Sequence, residues 1–158
     1  MTGDNNMYMH TSMQDKNTSP EPQPNTPCLC AALRKATRSL TSLYDAHLKP
    51  SGLKITEYSM LANIAKHPGI TVTKLAEILV MDQTTVTRNI QSLLKKGYAL
   101  LEPVPFDQRV RSVAVSQIGL EKLEKAKPLW QQAQAEEVKK LGQLGFDALL
   151  RSLHSVIE

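Results

Sequence analysis

The sequence predicts a mainly α-helical chain carrying one small β-hairpin, and three observations lead there. Leu, Ala, Lys, Gln and Glu recur at three- and four-residue steps along most of the chain after residue 27. Only 4% of the 158 residues are aromatic and seven are glycine, which disfavours β-sandwiches and glycine-rich phosphate loops. A single pair of β-prone runs, "YALLEPVP" and "VRSVAVS", stands between helical segments. At this length one domain is expected, large enough to bury a core without staples.

Residues 1–27 are polar and end in "SPEPQPNTP". They cannot bury enough apolar surface to order themselves and are expected to form a flexible tail. Met7, Met9 and Met13 leave open a later translation start. From Cys28 the character changes. Leu29, Leu33, Ala36, Leu40, Leu43 and His47 share a helical spacing, so 28–48 reads as a long amphipathic helix that "KPSG" (49–52) breaks. A second helix fits 56–66, with Thr56 as cap, Leu61, Ile64 and Ala65 inward, and "HPG" as terminator. A short helix over 71–79 would bury Leu75, Ala76 and Leu79.

Next comes "DQTTVTRNIQSLLKKG" (82–97). Asp82 is placed to cap it, and Val86, Ile90, Leu93 and Leu94 form its apolar face. Lys95 and Lys96 suit its C-terminal dipole, and Gly97 sits where a left-handed residue belongs. The two β-prone runs follow, joined by "FDQR" (106–109). Ser116 can cap a long helix over about 117–140, inside which Pro128 predicts a kink or an early break. "GQLG" would then separate a last helix with Phe146, Leu149, Leu150, Leu153, Val156 and Ile157 on one face. Two packed helices joined by a short turn and followed by a hairpin describe a winged helix-turn-helix.

Thr84, Thr85 and Thr87 crowd the start of the fourth helix, although threonine is a mediocre helix former. Either they cap the helix, or their hydroxyls and methyls are aimed at something outside the protein. Gln83, Thr84, Thr87, Arg88, Gln91 and Lys95 fall on a face largely separate from the apolar one. Gln can pair with adenine N6/N7, Arg with guanine O6/N7, and Thr with bases, phosphates or the thymine methyl. Three threonines with Gln and Arg, followed by a basic hairpin, point to double-stranded DNA; end-turn capping alone would explain one of them. The formal charge of +4 permits a polyanionic partner. The tail holds Lys16 against Asp4, Asp15 and Glu21, a balance of −2, which leaves +6 on residues 28–158.

The stretch "TVTKLAEILVMDQTTVTRNIQSLLKKGYALLEPVPFDQRVRSVAVSQIG" resembles the core of MarR-type transcriptional regulators. Their pattern is an "LA" helix, a short turn, "S/T-T-V-T-R", an apolar helix ending in "KxG", a wing with "D-x-R", then "L-T-x-x-G". Ser116 replaces the usual Thr. The resemblance covers 28–158 and implies a winged helix-turn-helix over about 54–116, with 28–48 and 117–158 interleaved into the dimerisation layer of a homodimer. Two recognition helices would then enter successive major grooves of a pseudo-palindromic operator, roughly 34 Å apart. Arg109 matches the family's minor-groove arginine, with Asp107 orienting it. An extended arginine suits the concentrated negative potential of a narrow A·T-rich minor groove. Arg111 would meet phosphate. The DNA-binding set is therefore expected to be Gln83, Thr84, Thr85, Thr87, Arg88, Gln91, Lys95, Asp107, Arg109 and Arg111.

"CLCAALRKATRSLTSLY" raises the question of a signal. Cys30 lies in the first turns of the first helix, where the dipole favours a thiolate. The segment resembles the MarR-type sensors of organic hydroperoxides, in which a reactive cysteine is held by two tyrosines of the other subunit. Tyr44 aligns with one of them, whereas Ile55 falls where the other is expected. Cys28 is the one candidate resolving thiol, and a C-x-C disulfide would be strained. The alternative is a pair of small, mostly buried thiols at a helix start. Other family members respond to small phenolic or aromatic acids in a crevice between the dimerisation and DNA-binding parts.

No metal site is expected, because Cys28, Cys30, His10, His47, His67 and His154 show no zinc spacing, and no cofactor is expected. A nucleophile elbow, paired-carboxylate signature, phosphate loop and metal triad are all missing, which argues against an enzyme. No apolar stretch approaches a membrane span and no signal peptide is recognisable, so a cytoplasmic protein with reduced cysteines is expected. The sequence thus reads as a sequence-specific DNA-binding regulator, a homodimeric repressor released by a small ligand or an oxidant. A winged-helix protein-interaction module and a nonspecific architectural DNA binder remain the alternatives.

Overall fold

The structure is a computed structural model that describes residues 27–104 and 107–157; the side chains of residues 104–110 lie outside it. Of the expected tail only residue 27 is described. The elements run α1 (Leu29–Leu48), a 3-10 turn (Lys49–Ser51), α2 (Ile55–Lys66), α3 (Val72–Leu79) and α4 (Gln83–Lys95), then β1 (Ala99–Val104), β2 (Asp107–Val115), α5 (Gln117–Leu141) and α6 (Gln143–Ile157). β1 and β2 pair antiparallel, with Ala99 opposite Val115 and Leu101 opposite Val113. A single bridge between Thr71 and Ser112 fastens the hairpin to the start of α3. This is a winged helix-turn-helix flanked by long helices, as the pattern of the sequence predicts.

The core lies where α2, α3 and α4 meet the hairpin and α5. Leu61, Ile64, Leu75, Val86, Leu93 and Val113 are each at most 2% exposed, so nearly all of their apolar surface leaves water. Leu48 at the end of α1 and Ala126 on α5 join the same cluster, which fixes the flanking helices to the winged part. Ala65, expected inward, is exposed, and Leu79 is half-buried.

Several local expectations are corrected. Thr56 does not cap α2; the helix starts one residue earlier, at Ile55. The carboxylate of Asp45 on α1 accepts the Ile55 amide at 2.7 Å, and Glu57 accepts the Lys54 amide at 3.2 Å, so these two amides at the start of α2 are satisfied without Thr56. Pro128 causes no early break, since α5 runs continuously to Leu141. The last interruption is Gly142 alone; Gln143 to Gly145 belong to α6. In the wing, Asp107 and Arg109 belong to β2 rather than to the connection, and the register shifts between Pro103 and Val104.

α6 buries none of its residues, and Leu144, Leu149, Leu150, Val156 and Ile157 remain exposed. With α1 and α5 it encloses an apolar groove of about 370 Å³, lined by Leu40, Leu141, Phe146 and Leu153 among others. Among the described residues no helix is long and apolar enough to cross a membrane, and no three metal-ligating side chains gather.

Candidate nucleic-acid interface

The start of α4 shows what its threonines do. Asp82 adopts an extended backbone as N-cap, and its Oδ1 accepts the Thr85 amide at 2.8 Å. Its Oδ2 accepts the Thr85 hydroxyl at 2.5 Å. These bonds from Thr85, hydroxyl first and amide second, hold the Asp82 carboxyl below the usual carboxylate range. Thr87 donates its hydroxyl to the Gln83 carbonyl one turn back, at 2.7 Å. Its proton is spent inside the helix, which leaves an acceptor lone pair and a methyl for anything outside. Thr84 is exposed, and its hydroxyl makes no bond among the described residues. The capping reading thus holds for Thr85, whereas Thr84 is exposed.

Gln83, Thr84, Thr87, Arg88 and Gln91 line one shallow depression along the outside of α4. Lys95 continues the stripe one turn beyond Gln91 and is exposed. The opposite face buries Val86, Ile90 and Leu93, with Leu94 half-buried against the same core. At the C-terminus Gly97 has φ +71, which a residue with a Cβ rarely adopts. Its amide reaches the Leu94 carbonyl and that of Tyr98 the Leu93 carbonyl, both at 2.9 Å, closing the helix.

In the wing, Arg111 is exposed and lies opposite Pro103. The backbone of Asp107 pairs with Val104. The expected Asp107–Arg109 side-chain pairing lies outside the described residues. Arg88, Lys95 and Arg111 have no ion-pair partner among the described residues, whereas Lys74, Lys96 and Lys140 are each neutralised by a glutamate. Cations without an ion-pair partner, together with exposed amide and hydroxyl groups, can engage phosphates and base edges.

Thr73 on α3 is not among the residues expected at the interface. Thr71 caps that helix, accepting the Lys74 amide at 3.3 Å, and the exposed Thr73 accepts from Gln83 Nε2 at 3.4 Å. Gln83 is thereby steered from a neighbouring helix. The signal was present in "TVTK", a second threonine-rich helix start ten residues upstream of Gln83.

The cysteines are placed otherwise than the buried-thiol alternative expects. Cys28 is the N-cap position of α1 and Cys30 its second residue, and both are free and exposed. Tyr44 sits on the same helix and donates to Gln134 Oε1 on α5. Its hydroxyl is pushed up by burial and by the nearby Glu137 carboxylate. Within one chain, then, Tyr44 is engaged with α5 and not with a thiol. His47 bonds Glu136 at 3.0 Å.

A separate cleft of about 300 Å³ opens between α1, α2 and the turn joining α3 to α4. Ile55, Met60, Leu79 and Met81 form its walls, and Asn89 of α4 reaches it from the inner side of the recognition helix.

Comparison with known proteins gives a consistent result. The family model described as "MarR family" matches residues 51–110. The transcriptional regulator MosR of M. tuberculosis, solved in complex with DNA, is 32% identical over 82% of this chain and 93% of that one, with a TM-score of 0.75. A mutant MarR from E. coli, complexed with operator DNA, shares the fold at a TM-score of 0.76 and 24% identity, covering 82% of this chain and 94% of that one. The uncharacterised HTH-type transcriptional regulator YybA of Bacillus subtilis is 29% identical over 82 residues. That match takes in 52% of this chain and 55% of YybA, so the chain spans little more than half the length of that curated relative.

Proposed function

The chain belongs to the MarR family of transcriptional regulators, and from that membership we propose that it is a homodimeric, sequence-specific DNA-binding repressor. It is a transcriptional regulator and not an enzyme. The observation that carries the finer reading is the outer face of α4, where Gln83, Thr84, Thr87, Arg88 and Gln91 converge while the inner face is fixed in the core. Their amide, hydroxyl and guanidinium groups suit base edges in a major groove, and Lys95, Arg109 and Arg111 suit phosphates and a minor groove. Asp107 would hold Arg109, and Thr85 would serve the interface through the Asp82 cap.

Homodimerisation is supported by α6, whose exposed leucines and the groove beside α1 and α5 leave a large apolar face wet in a single chain. A second copy of α1, α5 and α6 would cover it and set two recognition helices about one DNA turn apart. Repression follows from occlusion of a promoter by such a dimer on a pseudo-palindrome. Release follows if a small ligand in the cleft beside α4 shifts the dimer away from the spacing that DNA requires. A second release route, an organic hydroperoxide acting at Cys30 with Cys28, is favoured by the exposure of both thiols.

The test is fluorescence-anisotropy titration of the reduced protein against the DNA upstream of its own coding sequence, with and without cumene hydroperoxide. Preferential binding abolished by peroxide in the native protein and retained in Cys30→Ser supports the oxidant route. Release of Cys30→Ser by peroxide ends it.

A further inference from the structure

We propose that Thr73 is a specificity-determining positioning residue, which holds the Gln83 amide so that the first side chain of α4 reads adenine in a major groove. The inference rests on the readout by α4 proposed above. The exposed Thr73 hydroxyl accepts from Gln83 Nε2 at 3.4 Å, a contact between two helices. Among the described residues, the side chains of Thr84, Arg88, Gln91 and Lys95 make no such bond, and Thr87 bonds only within its own helix. On the outer face of α4, Gln83 is the side chain held from another element.

Both ends of that contact are fixed. The Val113 amide of β2 donates to the Ile70 carbonyl at 2.8 Å, and Thr71 both bridges to Ser112 and caps α3. Leu75, fully buried, anchors the next turn of α3 in the core. Across the turn, the Met81 amide reaches the Ala76 carbonyl at 3.0 Å, Asp82 caps α4, and Val86 is fully buried. What the backbone leaves free is the Gln83 side chain, whose rotamer freedom must be given up when it meets a base. A bond to the β-branched Thr73, itself stiff at χ1, removes part of that freedom before DNA arrives.

The held amide selects the base. One Nε2 hydrogen goes to Thr73, which leaves Oε1 and the second hydrogen as an adjacent acceptor and donor. That edge complements adenine, whose N6 donates and whose N7 accepts; guanine offers two acceptors there. A phosphate clamp at the start of α3 is disfavoured, because the neighbouring cation, Lys74, is already paired with Glu77 at 2.6 Å.

The test selects duplexes from a randomised library with the full chain, as the native protein and as Thr73→Val, Thr73→Ser and Gln83→Ala. Each is then titrated by anisotropy on the motif the native protein selects. That motif should carry an adenine in each half-site whose enrichment is lost in Gln83→Ala. In Thr73→Val its enrichment should fall about three- to tenfold, part of the discrimination that a Gln–adenine pair supplies, and Thr73→Ser should keep it. Thr73→Val should add nothing once Gln83 is alanine, as expected of a residue that acts through another. Thr73→Ala asks the same question with a better helix former, and thermal melts establish that each variant folds. Unaltered adenine enrichment in Thr73→Val and Thr73→Ala would overturn the proposal. So would a Gln83-dependent position holding another base, or an equal loss of affinity from Thr73→Val in the Gln83→Ala background. In those three cases the readout by α4 survives; a native protein that selects no motif at all would end both.

Discussion

The Ser116 hydroxyl donates to the Gly97 carbonyl at 2.5 Å and accepts the Gly119 amide at 3.0 Å. One side chain, 7% exposed, therefore joins the end of the recognition helix to the start of α5. The Ser116 amide adds a bond to the Tyr98 carbonyl at 3.0 Å. Ser116→Ala should destabilise the protein by about 1–2 kcal/mol, because it removes an N-cap and strands a carbonyl. Urea denaturation checks this, and an unchanged midpoint would show that the joint carries no stability.

Gly119 belongs to the same joint. A Cβ there would lie 2.1 Å from the Tyr98 carbonyl oxygen and 2.7 Å from Val115 Cγ1, both too close. Gly119→Ala should therefore cost about 1–3 kcal/mol by overpacking, against alanine's better helix propensity. Thermal melts of the purified variant decide the sign.

Val80 supplies the opposite case. It sits in the turn between α3 and α4 at φ 50 and ψ 47, left-handed for a β-branched residue, and is 68% exposed. That conformation costs roughly 1–2 kcal/mol, while glycine gives back about 0.5–1 in lost chain entropy. Val80→Gly should raise stability by up to about 1 kcal/mol in urea melts; a lower midpoint would contradict the account.

Asp82 makes the start of α4 sensitive to acid. Its carboxyl is held below its ordinary value of 3.8, so its contribution is complete above that pH and is lost as pH falls through the depressed folded value. The Thr85 amide signal should thus shift only in acid, at a pH below that ordinary value. Asp82→Ala should remove that shift.

In the wing, Arg109→Ala should weaken operator binding by about 1–3 kcal/mol per arm while leaving the dimer intact. Anisotropy and sedimentation velocity together check it. Unchanged affinity would remove the wing from the interface.

Much of this was legible in the sequence because the signals were local. Asp82 and Gly97 bracket α4 within one turn of its true ends, and apolar residues at three- and four-residue steps mark its buried face. What was not legible depends on contacts between distant segments. The start of α2 is set by Asp45, ten residues away on another helix. α5 survives Pro128, a residue that costs about 3 kcal/mol inside a helix. Ala126 and Ala133 are buried on either side, and Trp130 stacks on Tyr58 at 5.9 Å. The division of labour among the threonines was equally hidden, since a hydroxyl's partner depends on backbone geometry rather than on residue type.

Sequence readout by the outer face of α4 is what the proposed function stands on. The most direct measurement compares the native protein with Arg88→Ala by anisotropy on the upstream duplex and on a scrambled duplex, each at two salt concentrations. The native protein should prefer its own sequence and weaken with salt, and Arg88→Ala should lose most of the preference while keeping salt-sensitive binding. Equal affinity of the native protein for both duplexes, or a preference untouched in Arg88→Ala, would contradict it.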